Sequence, residues 1–123
     1  MKREAERDVP MEKFEVRAWD DAGVHVVRVS GEFDVAGCDR FRDASQRPDA
    51  ELVVVDLRNA TFLDSSALSE LIRLHRRSEQ HGSRLAILRP SGKADRIFKL
   101  TGIDSHLPLY DERVPLLAQF NFG

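Results

Sequence analysis

The sequence predicts an α/β domain, built as a single-layer mixed sheet with a parallel centre, an antiparallel N-terminal hairpin and about four helices packed on it. Two short runs, Leu52–Val55 and Leu85–Leu88, are apolar at every position, which is typical of strands covered on both faces. Segments with helical periodicity follow each run. Strands that alternate with helices in this way predict parallel pairing in the centre of the sheet.

The N-terminal part of the domain predicts the hairpin. Apolar and charged side chains alternate over Lys13–Ala18, as in a half-buried strand. The turn-forming residues Asp20–Gly23 separate this segment from a β-branched run, Val24–Val29. Gly31–Asp34 is then predicted to leave the strand. A helix over Ala36–Ser45 is expected to follow.

The middle of the chain predicts a central strand and the main helix. Leu52–Val55 is the strand, and Asp56–Leu63 is interpreted as a connection. The main helix is predicted over Ser65–His81, ended by Gly82 in a left-handed conformation. Its apolar stripe is predicted to consist of Leu68, Leu71, Ile72 and His75.

The last third of the chain continues the alternation of strands and helices. The predicted elements are a buried strand Arg84–Leu88, a short helix Ala94–Thr101 ended by Gly102, a last strand Leu107–Tyr110, and a last helix carrying Val114, Leu117 and Phe120. Residues 13–123 are therefore expected to form one domain, preceded by a charged tail over residues 1–12.

Composition argues against several classes of protein. A net charge of −2, with 33% charged residues, is a mixed-sign surface and not the positive field of a nucleic-acid binder. The apolar runs are too short for membrane insertion, and the charged N-terminus is unlike a signal peptide, so we expect a cytoplasmic protein. The single cysteine, Cys38, is expected to be a small buried residue.

Catalytic motifs are incomplete, which predicts that the chain is not an enzyme. Ser65 lies between a strand and a helix, but Leu63 and Ala67 stand where a nucleophile elbow has glycines. Ser91–Lys93 resembles the end of a phosphate-binding loop, but Ile87 occupies the position of its first glycine.

The sequence offers little support for a metal site. The four histidines show no spacing typical of metal ligands, and His75 is expected at the edge of the main helix. Asp34, Asp56 and Asp64 each follow a strand or its connection, so a carboxylate cluster for Mg²⁺ is a minor alternative.

The segment Phe62–Leu68 is the most informative part of the chain. Ser65 and Ser66 follow Asp64 and occupy the first turn of the predicted main helix. Capping alone accounts for an acid or a hydroxyl at this point, with Asp64 or Ser65 accepting hydrogen bonds from the free amides of the first turn. Capping does not account for the second serine.

From about Phe14 to Phe120, the chain resembles the STAS domain family, named for sulphate transporters and anti-sigma factor antagonists. Four segments come in the order that the family shows: Val29–Asp34, Val53–Leu57, Phe62–Leu68, and Arg96–Phe98 running into Leu100–Ile103. The resemblance implies an anti-sigma factor antagonist, a bacterial phosphoprotein that regulates transcription in response to stress.

The resemblance also implies a mechanism. The serine directly after the aspartate, Ser65 here, is phosphorylated by an anti-sigma factor that is a serine kinase, with Ser66 as the alternative acceptor. The unphosphorylated form binds the anti-sigma factor and releases the sigma factor, phosphorylation blocks binding, and a phosphatase resets Ser65. The resemblance implies that ATP belongs to the partner kinase, so no cofactor is expected on this chain. The implied partner-binding residues are Asp34, Asp64, Ser65, Ser66 and Ala67.

Two further points remain open in the resemblance. The family usually has glycine where this chain has Ala67, and the extra methyl is expected to crowd a partner backbone packed against this surface. The alternative function is a non-enzymatic STAS scaffold, or a regulatory subunit of a signalling or lipid-transport complex. The sequence leaves a homodimer open.

Overall fold

The computed structural model describes residues 13–47 and 49–111, in which five strands form one mixed sheet in the order β1-β2-β3-β4-β5. The strands are β1 (Glu15–Asp21), β2 (Val24–Phe33), β3 (Leu52–Leu63), β4 (Arg84–Leu88) and β5 (Leu109–Tyr110), and the α-helices are α1 (Cys38–Ser45), α2 (Ser65–His81) and α3 (Arg96–Thr101). The β1–β2 pair is antiparallel, whereas the other three pairs are parallel. The predicted fold class is thus confirmed.

Three α-helices lie within the described residues, against the four or so that the sequence predicts. The predicted helix with Val114, Leu117 and Phe120 lies outside the described residues, as does the tail over residues 1–12. Short 3₁₀ turns precede α1 and α3 and follow α3, at Val35–Gly37, Gly92–Asp95 and Ile103–Ser105.

Strands β2 and β3 are longer than predicted. β2 continues to Phe33 instead of ending before Gly31, and the supposed connection Asp56–Leu63 belongs to β3. Main-chain pairing between β2 and β3 extends both strands beyond their predicted ends, and it places Phe33 opposite Leu63. Register shifts along the pair interrupt the side-chain alternation that identifies a strand in sequence.

Both faces of the sheet centre are buried, as the doubly apolar runs predict. Val53 and Val55 lie in the main core with residues of all three helices, while Leu52 and Val54 belong to a second cluster on the opposite face. All four side chains are at most 2% exposed. The central position of β3 follows from this two-sided burial.

Helix α2 buries a stripe that is rotated from the predicted one. Its buried residues are Ala67, Leu68, Glu70, Leu71, Leu74 and Ser78. Ile72 and His75, predicted on the stripe, are only half-buried. The rotation accommodates Glu70, whose Oε1 accepts a hydrogen bond of 3.2 Å from Nε of Arg42 on α1. A charged pair therefore lies between α1 and α2.

A second buried carboxylate, Asp56, lies in β3 between two arginines. Its side chain accepts hydrogen bonds from Nε of Arg28 at 3.1 Å and from Nε of Arg58 at 2.9 Å. Burial alone would raise the pKa of Asp56, but the hydrogen bonds from Arg58 and Arg28 outweigh it and hold the pKa below its ordinary value. The ionised form therefore stabilises the fold.

Replacing Asp56 with asparagine is expected to lower the free energy of unfolding at pH 7 by about 1.5–3 kcal/mol. Because the folded-state pKa is depressed, this advantage of the wild type is present above the unfolded pKa of about 3.9 and disappears as the pH falls through the folded-state value. Urea unfolding between pH 7 and pH 3 measures it. Asp43→Asn, on the exposed side of α1, is the control and should change little. A constant difference between wild type and Asp56→Asn down to pH 3 would contradict the assignment.

Candidate functional site

Asp34 and Asp64 lie side by side at one edge of the sheet. Each directly follows one residue of the Phe33–Leu63 pair, in which two parallel strands end together. The backbone N–H of Asp64 donates to the carbonyl oxygen of Phe33 at 3.3 Å. Asp34 thus lies close to Asp64 and Ser65, because loops that leave the same end of neighbouring parallel strands meet there.

Each of the two carboxylates begins the element that follows it. Oδ1 of Asp34 accepts a hydrogen bond from the N–H of Ala36 at 3.0 Å, and Oδ1 of Asp64 accepts one from the N–H of Ala67 at 2.9 Å. Asp64, and not Ser65, is therefore the N-cap of α2. The Ser65 side chain is exposed and makes no hydrogen bond with any described residue, whereas Ser66 is half-buried. The cap leaves the Ser65 hydroxyl available for other chemistry.

An aromatic cluster packs around Phe33, the residue that precedes Asp34. The ring of Phe33 lies 5.4 Å from that of Phe14 and 4.9 Å from that of Phe41, measured between centroids. Gly37 packs so closely on Phe14 that a Cβ at this position would come within 2.9 Å of the ring. The absence of a side chain at Gly37 thus lets the turn after Asp34 pack against the core.

Cys38 begins α1 beneath this turn. Its Sγ donates to the carbonyl oxygen of Asp34 at 3.5 Å, and the residue is 7% exposed. Burial raises the pKa of the Cys38 thiol above its ordinary value. The prediction of a small buried cysteine is confirmed, and the thiol is poorly suited to nucleophilic chemistry.

The three carboxylates of the alternative Mg²⁺ cluster do not meet. Asp56 belongs to the interior of β3 and its carboxylate is occupied by Arg28 and Arg58, so it does not join Asp34 and Asp64 at the sheet edge. Within residues 13–47 and 49–111, no group of three or more histidine, cysteine, aspartate or glutamate side chains is arranged to hold a metal ion.

The predicted partner contact through Ala67 does not fit the structure. Ala67 is fully buried and belongs to the main core. Its methyl group points into the protein because the first turn of α2 lies directly on the sheet. The extra carbon relative to glycine is thus taken up by core packing, and it does not crowd a partner.

Two apolar residues beside the carboxylates were not predicted. Val35, which follows Asp34, is 70% exposed, and Phe62, which precedes Leu63, is 47% exposed. Exposed apolar side chains that cluster with polar groups mark contact surfaces. No periodicity in the sequence reveals them, because both lie where regular elements end. We call the surface formed by Asp34, Val35, Phe62, Asp64, Ser65 and Ser66 the rim.

Among the described residues, no helix is long and apolar enough to cross a membrane. The rim is a small surface that combines carboxylates, hydroxyls and two exposed apolar side chains. Its composition is typical of a protein contact surface. The rim supplies none of the residues that the incomplete catalytic motifs lack.

Comparison with known proteins agrees with this geometry. A family model described as "Mlab, STAS domain" matches residues 17–111. An anti-sigma F factor antagonist of Paenibacillus polymyxa is 32% identical over 101 residues, which cover 79% of this chain and 86% of that protein. The crystal structure of an anti-sigma factor antagonist from Mycobacterium paratuberculosis has a TM-score of 0.72 and 26% identity, covering 90% of this chain and 97% of that chain.

The anti-sigma factor antagonist SpoIIAA of Bacillus has the same fold. Its unphosphorylated form has a TM-score of 0.68 and 20% identity and covers 87% of this chain and 93% of its own, and its phosphorylated form has a TM-score of 0.62. The anti-sigma factor antagonists among these relatives are non-enzymatic regulators. Together, the matched family model and the relatives show that the chain belongs to the STAS domain family.

Proposed function

We propose that the chain is an anti-sigma factor antagonist, acting in the cytoplasm as a binding switch controlled by phosphorylation of Ser65. The unphosphorylated rim binds an anti-sigma factor that is also a serine kinase, and the sigma factor is released. Phosphorylation of Ser65 blocks this binding, and a phosphatase resets it. The observation that carries the proposal is the Ser65 side chain, exposed and without a hydrogen bond among the described residues, beside the two carboxylates of the rim.

A phosphate on Ser65 is compatible with the fold. It would lie at the N-terminus of α2, where the helix dipole favours a negative group by ~0.3–1 kcal/mol. The Asp64 cap does not depend on the Ser65 hydroxyl, so modification leaves the cap intact. The switch therefore acts on binding and not on folding.

Ser65 is a better acceptor than Ser66. Ser66 is half-buried and lies four residues before Glu70, on the side of α2 that faces α1. A phosphate on Ser66 would have to fit beside the Arg42–Glu70 pair. Ser65 presents its hydroxyl to solvent, where a kinase can reach it.

The second candidate function is a non-enzymatic STAS scaffold or a regulatory subunit of a signalling or lipid-transport complex. The exposed Val35 and Phe62 favour it, because they supply contact area that does not depend on either serine hydroxyl. In that case, the rim binds its partner permanently and no kinase acts on the chain.

Phosphorylation by serine kinases of the anti-sigma factor class from the source organism separates the two functions. With ATP present, we expect one phosphate per chain on wild type, located at Ser65 by mass spectrometry. Ser65→Ala should take up none, while Ser66→Ala should be labelled like wild type. Labelling that is lost in Ser66→Ala and kept in Ser65→Ala would move the site by one residue. If no kinase labels the wild type, the scaffold function takes the place of the switch.

A further inference from the structure

The exposed side of α2 carries a cationic face. The face consists of Ser69, Ile72, Arg73, Arg76, Arg77 and Gln80, which line a surface groove of about 470 Å³. Three arginines and one isoleucine thus share a single side of the helix. The sequence alone favours a solvated helix face for these arginines.

The arginines of this face lack the close ion pairs that Arg42 and Arg89 make. Arg42 and Arg89 are bound to the carboxylates of Glu70 and Asp95. Arg76 and Arg77 make no ion pair with any residue in the described part of the chain, and Arg73 makes only a contact of 3.7 Å with Glu70. Among residues 13–47 and 49–111, little negative charge therefore compensates the positive charge of the cationic face.

An apolar groove adjoins the cationic face. Ile72 and Arg76 also line a second depression of about 420 Å³, whose other lining residues are His75, Glu79, Ile103, His106 and Leu107. Ile72, Ile103 and Leu107 provide apolar side chains between polar neighbours. Nδ1 of His75 is buried there without a hydrogen-bond partner. An apolar floor between polar neighbours is suited to an amphipathic ligand.

The cationic face is continuous with the rim along one side of the helix. Ser65, Ser69, Ile72 and Arg76 follow each other at spacings of three and four residues, which place them on the same side of α2. Arg76 lies about 16 Å from Ser65 along the axis, at ~1.5 Å per residue. That distance exceeds the Debye length of about 8 Å at physiological salt. A charge on Ser65 therefore barely affects the electrostatics at Arg76.

We propose that the cationic face and its groove form a docking surface for an acidic amphipathic segment of a protein partner. Carboxylates of the segment pair with Arg73, Arg76 and Arg77, while its apolar side chains enter the groove beside Ile72. The inference rests on the proposed function in one respect, since the segment is assigned to the protein that binds the rim. Docking on the cationic face is independent of the phosphorylation of Ser65, so the phosphorylated antagonist still binds its partner weakly through this surface.

A synthetic probe tests the docking surface without knowledge of the partner. The probe is a peptide of ~14 residues with glutamates on one helical face and leucines at i, i+3 and i+7 on the other, titrated into full-length protein by NMR and fluorescence anisotropy. We expect changes in the NMR chemical shifts of Ile72, Arg76 and Leu107 when the peptide binds. The affinity should fall as the salt concentration rises. Arg76→Glu/Arg77→Glu should weaken binding at least ~10-fold, whereas the control Lys93→Glu/Arg96→Glu, with the same charge change outside the groove, should stay within about two-fold.

Further arms identify the occupant and separate this inference from the proposed function. The docking proposal is wrong if a peptide with lysines in place of the glutamates, or polyglutamate, binds as tightly as the probe. It is also wrong if Arg76→Glu/Arg77→Glu leaves the affinity for the probe unchanged. Tighter binding to anionic phospholipid vesicles than to the peptide would overturn it in favour of a membrane. Ser65→Asp should bind the peptide like wild type. If the peptide binds and no kinase labels Ser65, the docking proposal stands and the phosphorylation switch is wrong. If a kinase labels Ser65 and the peptide does not bind, the switch stands and the docking proposal is wrong.

Discussion

Replacing Leu71 with alanine is expected to lower the free energy of unfolding by about 2–5 kcal/mol. Leu71 is 0% exposed and lies in the main core, at the middle of the helix that carries the rim. Truncation removes buried apolar surface and leaves a cavity that the sheet beneath it cannot fill. Urea unfolding monitored by circular dichroism measures the change.

Two neighbouring substitutions on the same helix act as controls for its orientation. Ile72→Ala should cost less than Leu71→Ala, at about 1–2 kcal/mol, since Ile72 is only half-buried beside the groove. Arg73→Ala should cost less than about 0.5 kcal/mol, because 56% of its side chain is exposed. Equal losses for Leu71→Ala and Arg73→Ala would mean that α2 is rotated from the orientation described here.

Signals that act within one turn of the chain made α2 predictable. Asp64 caps the helix through a hydrogen bond to the third residue after it, and Gly82 ends the helix with φ of 73°. Both effects depend on a few consecutive residues, so the bounds Ser65–His81 could be predicted from the sequence alone. The meeting of Asp34 with Asp64 could also be predicted, because parallel topology brings those strand ends together.

Features set by distant contacts could not be predicted. The continuation of β3 through Arg58 and Asn59 depends on pairing with β2, because these exposed polar residues break the apolar pattern. The rotation of α2 depends on Arg42, which lies 28 residues before its partner Glu70. The sequence likewise gave no means of telling the exposed Ser65 from the half-buried Ser66. Such features are properties of the assembled core and not of any local pattern.

Phosphorylation of Ser65 is expected to weaken binding to the anti-sigma kinase by ~30- to 5,000-fold, equivalent to about 2–5 kcal/mol. A phosphate adds a charge of about −1.5 to −2 at a surface where the partner otherwise meets a neutral hydroxyl. At the rim this charge would join Asp34 and Asp64, so the partner would have to desolvate three neighbouring anionic groups.

Substitutions at Ser65 separate the contribution of charge from that of shape. Ser65→Asp should fold like wild type, because a carboxylate at a helix N-terminus is favourable, and it should bind the kinase at least ~10-fold more weakly. Ser65→Asn is the matched control, with nearly the same shape and no charge, and should bind more tightly than Ser65→Asp. Ser65→Ala should fold normally and keep its affinity when ATP is present, since it lacks the acceptor hydroxyl and the Asp64 cap remains. Circular dichroism checks the fold of each variant, and calorimetric titration with and without ATP measures binding.

If Ser65→Asp and Ser65→Asn bind equally weakly, the partner excludes bulk and not charge at this position. If all three variants bind like wild type, Ser65 lies outside the interface, and the rim contacts its partner through Val35 and Phe62 instead.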